Sequence, residues 1–112
     1  MSTDPIDFQF DGDESAKQTI VLAHGAGAPM DSPFMNDMAS ELARHGLRVA
    51  RFEFPYMAKR RIDGKKRGPD RAPVLTAFYA DVVRQLGEPE KLVIGGKSMG
   101  GRIASMVADD LG

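Results

Sequence analysis

A three-layer α/β/α fold, with helices on both faces of a mainly parallel sheet, is what the sequence predicts. Three observations predict it. Strand-length apolar runs at 19–23, 47–54 and 92–95 alternate with longer segments of helical period, the pattern of parallel strands joined by right-handed crossovers. The first of these runs, Thr19-Ile20-Val21-Leu22-Ala23, is continuously apolar, as in a strand covered on both faces. Small-residue turns follow the first and last runs, at the carboxyl strand ends where sheets of this kind gather their active sites.

Residues 1–17 form a polar, acidic lead-in to a single domain spanning 1–112, and Ile6-Asp7-Phe8-Gln9-Phe10 alternates as a short half-buried strand before the Asp11-Gly12 turn. The strand at Thr19 runs into His24-Gly25-Ala26-Gly27-Ala28-Pro29. Ser32-Pro33 reads as an N-cap with proline at the first helical position. Phe34, Met35, Met38, Ala39, Leu42 and Ala43 then recur at helical spacing until His45-Gly46. Pro55 stops the strand from Leu47 to Phe54, and a charged loop is expected from Ala58 to Arg71. Pro73 opens the next helix, whose apolar side holds Val74, Leu75, Phe78, Tyr79, Val82, Val83 and Leu86. Gly87 and Pro89 end it. After the strand at Leu92, a helix from about Gly100 carries Ile103, Met106, Val107 and Leu111. Most of the methionines fall in or near helices, where gap-filling is their default role.

Composition narrows the function classes. A formal net charge of −1 supplies no global attraction to nucleic acid or to an anionic membrane, and neither is expected as a partner. The absence of cysteine excludes disulfides, a thiol nucleophile and thiolate metal sites; no metal and no cofactor is expected. Met1-Ser2-Thr3-Asp4-Pro5 has neither the basic nor the apolar region of a secretory signal, and no apolar run reaches membrane-spanning length, so a cytoplasmic protein is expected.

The chemistry concentrates at Gly96-Lys97-Ser98-Met99-Gly100, a G-x-S-x-G between a strand and a helix. In a nucleophile elbow a sharp turn lifts the serine hydroxyl above the sheet end, and flanking glycines permit the close strand–helix approach. Ser98 is the candidate nucleophile and needs a neighbouring base. A phosphate-binding loop is rejected for the same stretch, because the glycine it requires five positions before Gly96 is Lys91. A dinucleotide fingerprint at Gly25-Ala26-Gly27 fails likewise, with Met30 where its third glycine belongs.

The loop His24-Gly25-Ala26-Gly27 has small residues that let backbone N–H groups approach a substrate carbonyl, as half of an oxyanion hole completed by the N–H of Met99. His24 is read as orienting this loop rather than as the general base, and His45 as a surface residue complementing the helix dipole. Tyr56 and Met57 lie at the same sheet edge, placed either to line a pocket or to pack helix against loop. Arg102 stands just past the elbow, placed to meet a substrate carboxylate or phosphate or else to face solvent. The basic residues of 59–71, with Gly64 and Gly68 among them, read as a solvated mobile loop ahead of an anion grip.

With these residues together, the chain resembles the α/β-hydrolase superfamily, and within it the small predicted hydrolases related to dienelactone hydrolases and testis-expressed α/β-hydrolase-like proteins. The blocks that carry the resemblance are Val21 to Pro33, Arg51-Phe52-Glu53-Phe54-Pro55-Tyr56-Met57, and Val93 to Arg102. The resemblance implies a serine hydrolase acting on an ester, thioester or related acyl bond, with Ser98 as nucleophile, Met99 and Ala26 as oxyanion-hole donors, and His24, Gly25, Gly27, Tyr56 and Arg102 as loop and substrate support. In that superfamily the acid and histidine follow the elbow. Here only Asp109 and Asp110 are acidic beyond Ser98, too far along the helix to serve, and no histidine follows. The chain is therefore expected to be the N-terminal portion of such a domain, a partial α/β-hydrolase fold. Alone it is expected to be weakly active or inactive, with a sheet edge exposed to self-association. A non-catalytic binding or scaffold module is the alternative.

Overall fold

In the computed structural model, which describes residues 5–111, four strands make one sheet in the order β1-β3-β2-β4. The elements are β1 (Gln9–Asp11), β2 (Thr19–Ala23), α1 (Pro33–Arg44), β3 (Arg48–Phe52), α2 (Pro55–Asp63), α3 (Ala72–Leu86), a 3-10 turn (Pro89–Lys91), β4 (Leu92–Gly96) and α4 (Met99–Leu111). β2 pairs in parallel with both β3 and β4, with Val21 opposite Ala50 on one side and Ile94 on the other, whereas β1 is antiparallel to β3. The α/β class and mainly parallel sheet expected from the alternation are thus present.

The alternation of side chains along β2 builds two cores. Val21 and Ala23 face the larger one, with Phe52, Phe54, Tyr79, Ile103 and Val107, beneath α3 and α4. Leu22 faces the other way, packing with Val49 and with Met35 and Ala39 of α1. The helices thus lie on both faces of the sheet. Ser32 caps α1 as the sequence predicts, accepting from the Met35 N–H at 3.3 Å, with Pro33 in the first turn. β2 is the only neighbour of β4 among the described residues, and Val93, on the α1 side of β4, is 45% exposed.

Several expectations are corrected. The charged stretch from Ala58 is not all loop: its first six residues belong to α2. Pro55 supplies a helical φ at the first turn, Tyr56 and Met57 bury into the larger core, and Gly64 ends the helix in the left-handed region at φ 72°. Only 64–71 remain as loop. The first strand is shorter and later than the alternation at Ile6–Phe10 implies, because β3 offers three partners, Arg51, Ala50 and Val49, to Gln9–Asp11. Ile6 instead donates its N–H to the Gln85 side chain at 2.9 Å. Phe34, Met38, Val74 and Met106, grouped with apolar faces by their spacing, are exposed. The readings that fall on residues 1–4 and on the side chains of Asp110 and Leu111 lie outside the described residues.

Candidate active site

Ser98 is exposed and sits in the two-residue joint between β4 and α4 with φ at +49°. A serine in this left-handed region costs on the order of 1 kcal/mol, and it persists because the joint is held on both sides. The Lys97 N–H donates to the Ala23 carbonyl at 3.0 Å, which extends the β2–β4 ladder up to the turn. Gly100 donates back to the Lys97 carbonyl at 2.9 Å, and Arg102 to that of Ser98 at 3.0 Å. The crossing leaves no room for side chains. A Cβ on Gly96 would lie 2.6 Å from the Gly100 carbonyl carbon, and one on Gly100 would lie 2.5 Å from the His24 carbonyl oxygen. The two glycines of the G-x-S-x-G are therefore required by strand–helix contact. From below, α3 braces the same strand: the buried Tyr79 hydroxyl accepts from the Gly95 N–H at 3.1 Å and lies 2.9 Å from the Val21 carbonyl.

The loop after β2 faces this turn. Gly25, Ala26, Gly27 and Ala28 share with Lys97 and Ser98 a hollow of about 310 Å³. Met99 opens α4, so its N–H is one of the amides a helix start leaves unpaired, at the positive end of the helix dipole. No hydrogen bond takes the Ser98 hydroxyl or the Ala26 N–H among the described residues.

His24 does not reach for the serine. It is fully buried, its Nε2 accepts from the Phe54 N–H at 3.1 Å, and its Nδ1 donates to the Gly25 carbonyl at 2.6 Å. Both nitrogens are spent on backbone, in the neutral tautomer that carries its proton on Nδ1. Burial pushes the imidazole below its ordinary 6.5. His45 caps α1 and pairs with Glu41 on the surface, at 3.2 Å.

Tyr56 is buried rather than lining the pocket. Its hydroxyl donates to the Ala26 carbonyl at 2.8 Å and lies 4.0 Å from the Met99 sulfur, so it spans loop and elbow. Burial, with the Asp70 charge adding to it, pushes the phenol up to about 12. Arg60 of α2 holds the next carbonyl, that of Gly27, at 3.2 Å. Further back, the buried Glu53 receives both forks of Arg61, at 2.6 and 2.8 Å, and Arg61 also holds Asp31 at 2.8 Å. The hydrogen bonds from Arg61 keep the Asp31 carboxyl below the usual range. Arg51 is buried as well, bonding Asp11, the Met30 carbonyl and Asn36.

The structure thus brings together Ser98, Met99, Gly25, Ala26 and Gly27, with His24 and Tyr56 beneath them. Arg102 is not in this group: it is exposed on α4 and lines neither the hollow at Ser98 nor its neighbour across the loop. Asp109 is exposed near the far end of the same helix. Sequence reasoning did not single out Lys97, and it held Arg60 only as one of the basic residues of 59–71. Arg60 was hidden inside a charge run read as loop, and the signal available was Pro55, which starts a helix five residues earlier.

A parallel sheet whose last strand turns through a left-handed serine into a helix, opposite a glycine-rich loop, defines an α/β-hydrolase architecture. The model of the alpha/beta hydrolase domain matches residues 16–112, and the chain belongs to that family. A search of curated protein sequences found no match. Among the described residues, no helix is long and apolar enough to cross a membrane.

Proposed function

We propose that the chain carries the nucleophile and oxyanion hole of a serine hydrolase acting on an ester, thioester or related acyl bond. The observation that carries this reading is the backbone of Ser98: a non-glycine residue at φ +49°, exposed between β4 and α4. Strain of this kind persists where a fold needs a side chain aimed in one direction. The Ser98 oxygen would attack the acyl carbon and pass its proton to a base, while the Met99 and Ala26 amides hold the oxyanion. The leaving alcohol or thiol takes that proton, and water then hydrolyses the acyl-serine. His24 serves the loop and not the proton transfer, and an attack by Ser98 without a positioned base is slow. Within the superfamily we place the protein with the small hydrolases related to dienelactone hydrolases and testis-expressed α/β-hydrolase-like proteins, in the cytoplasm. The open edge of β4 would favour self-association by strand pairing.

One observation favours a second reading, a non-catalytic binding module: both histidines of the chain are committed to structural contacts. A fluorophosphonate probe separates the two. Slow covalent labelling at Ser98, read by intact mass and absent in Ser98→Ala, is expected of the hydrolase. Equal labelling of both proteins, or none of either after hours at millimolar probe, favours the binding module.

A further inference from the structure

We infer that the end of the sheet remote from Ser98 holds a second ligand site, for a small α-amino acid bound as its zwitterion. Thr19, Arg48 and Leu92 are the first residues of β2, β3 and β4, and the register sets them in one row across the sheet. Together with the end of α3 and the charged Glu14, Glu88 and Lys91 they line a cleft of about 210 Å³. That volume is on the scale of a few waters or of one small amino acid.

The charges around the cleft do not close among themselves. Arg48 lays its guanidinium 4.0 Å from the centre of the Phe10 ring, which holds the cation without neutralising it. Its Nε is buried and, alone among the buried side-chain nitrogens and oxygens of the described residues, has no hydrogen-bond partner. A buried polar group left in this way is costly, so the guanidinium is short of an acceptor. Glu88 and Lys91 pair with each other at 3.4 Å on the exposed rim. Glu14 has no ion-pair partner among the described residues, Arg48 included. Arg48 and Glu14 thus line one cleft as opposite charges that do not meet. A zwitterion between them supplies both counter-charges at once, its carboxylate to Arg48 and its ammonium to Glu14. The carbonyl end of α3, negative by the helix dipole, stands on the same wall and favours the ammonium. Thr19 adds a hydroxyl, while Leu86 and Leu92 offer apolar contact to a short aliphatic side chain. A simple anion would instead meet two carboxylates, and a simple cation would meet the uncompensated guanidinium. Glu88 holds its place on the rim at φ 47°, a left-handed conformation rare for a residue with a Cβ.

Titration of the isotope-labelled 112-residue chain with L-valine at low salt, followed by NMR, tests this. Saturable shifts are expected at the amides of Ala16, Arg48, Gly87 and Glu88. N-acetylvaline lacks the ammonium and valinamide the carboxylate, so each should bind at least about tenfold more weakly. Arg48→Met should weaken valine by a similar factor. Glu14→Gln, at an exposed residue that the fold does not lean on, should weaken valine about threefold and leave N-acetylvaline unchanged. Equal response to valine and its two blocked forms, valine shifts clustered elsewhere, or no saturable shift at tens of millimolar valine overturns the inference. Ser98→Ala should bind valine as the wild type does, because the site stands at the other end of the strands.

Discussion

The hydroxyl of Tyr56, on the first turn of α2, donates to the carbonyl of Ala26 at 2.8 Å. One hydrogen bond thus joins the end of β3 to the loop that faces Ser98. Through it the Arg51–Met57 segment sets where the Ala26 amide stands, although no residue of that segment lines the hollow at Ser98.

Removing that oxygen in Tyr56→Phe should lower stability by about 1 kcal/mol, the net worth of one hydrogen bond, with the ring packing kept. Urea unfolding measures it. Labelling of Ser98 by fluorophosphonate should slow in the same variant, since the loop amide loses its brace. Unchanged labelling together with the stability loss would show that Tyr56 supports the fold but not the loop.

Two glycines of the site should behave oppositely. Gly100→Ala puts a methyl 2.5 Å from the His24 carbonyl oxygen and 2.9 Å from the Ala23 Cβ, neighbours that cannot swing aside. A loss of about 3 kcal/mol or failure to fold is expected, the upper range for overpacking. Gly27→Ala meets nothing within 4 Å and should change stability by less than about 0.5 kcal/mol. Thermal melts of the pair decide it.

The strain at Ser98 is measurable by comparison. Ser98→Gly relieves φ +49°, whereas Ser98→Ala retains it, and both lose the hydroxyl. The glycine variant should be the more stable by about 1 kcal/mol, from the cost of the left-handed region for a residue with a Cβ. Equal stability of the two would mean that the turn relaxes in solution.

Stability should fall at both ends of the pH range. His24 is held neutral below its ordinary 6.5 in the folded state, so beneath pH 6.5 the unfolded chain binds the extra proton. Stability from this group is therefore complete above 6.5 and declines as pH drops, by at most about 1.4 kcal/mol per unit. Tyr56 acts at the other end. Its phenol is raised from 10.0 to about 12, so between those values the unfolded chain has lost a proton that the folded one keeps, and stability declines as pH rises. Urea midpoints across pH 5–12 test both arms, with His24→Gln expected to flatten the acid arm.

The sequence by itself determined the elements whose cause is local. Ser32-Pro33 caps α1 because an oxygen and a fixed φ suffice, and the unbroken apolar run of β2 demands cover on both faces. The spacing of Gly96, Ser98 and Gly100 is itself the geometry of a close strand–helix turn. What the tertiary structure decided depends on partners distant in the chain. The two nitrogens of His24 are consumed by Gly25 and by Phe54, thirty residues on. Tyr56 turns inward to Ala26, β1 adds antiparallel to the edge of the sheet at β3, and Arg60 and Lys97 flank one loop from separate segments. A single sequence records which groups can bond, but only packing decides which vacancy each group meets. For that reason the serine and the loop-orienting part of His24 were legible at once, and the partner that His24 takes at Phe54 was not.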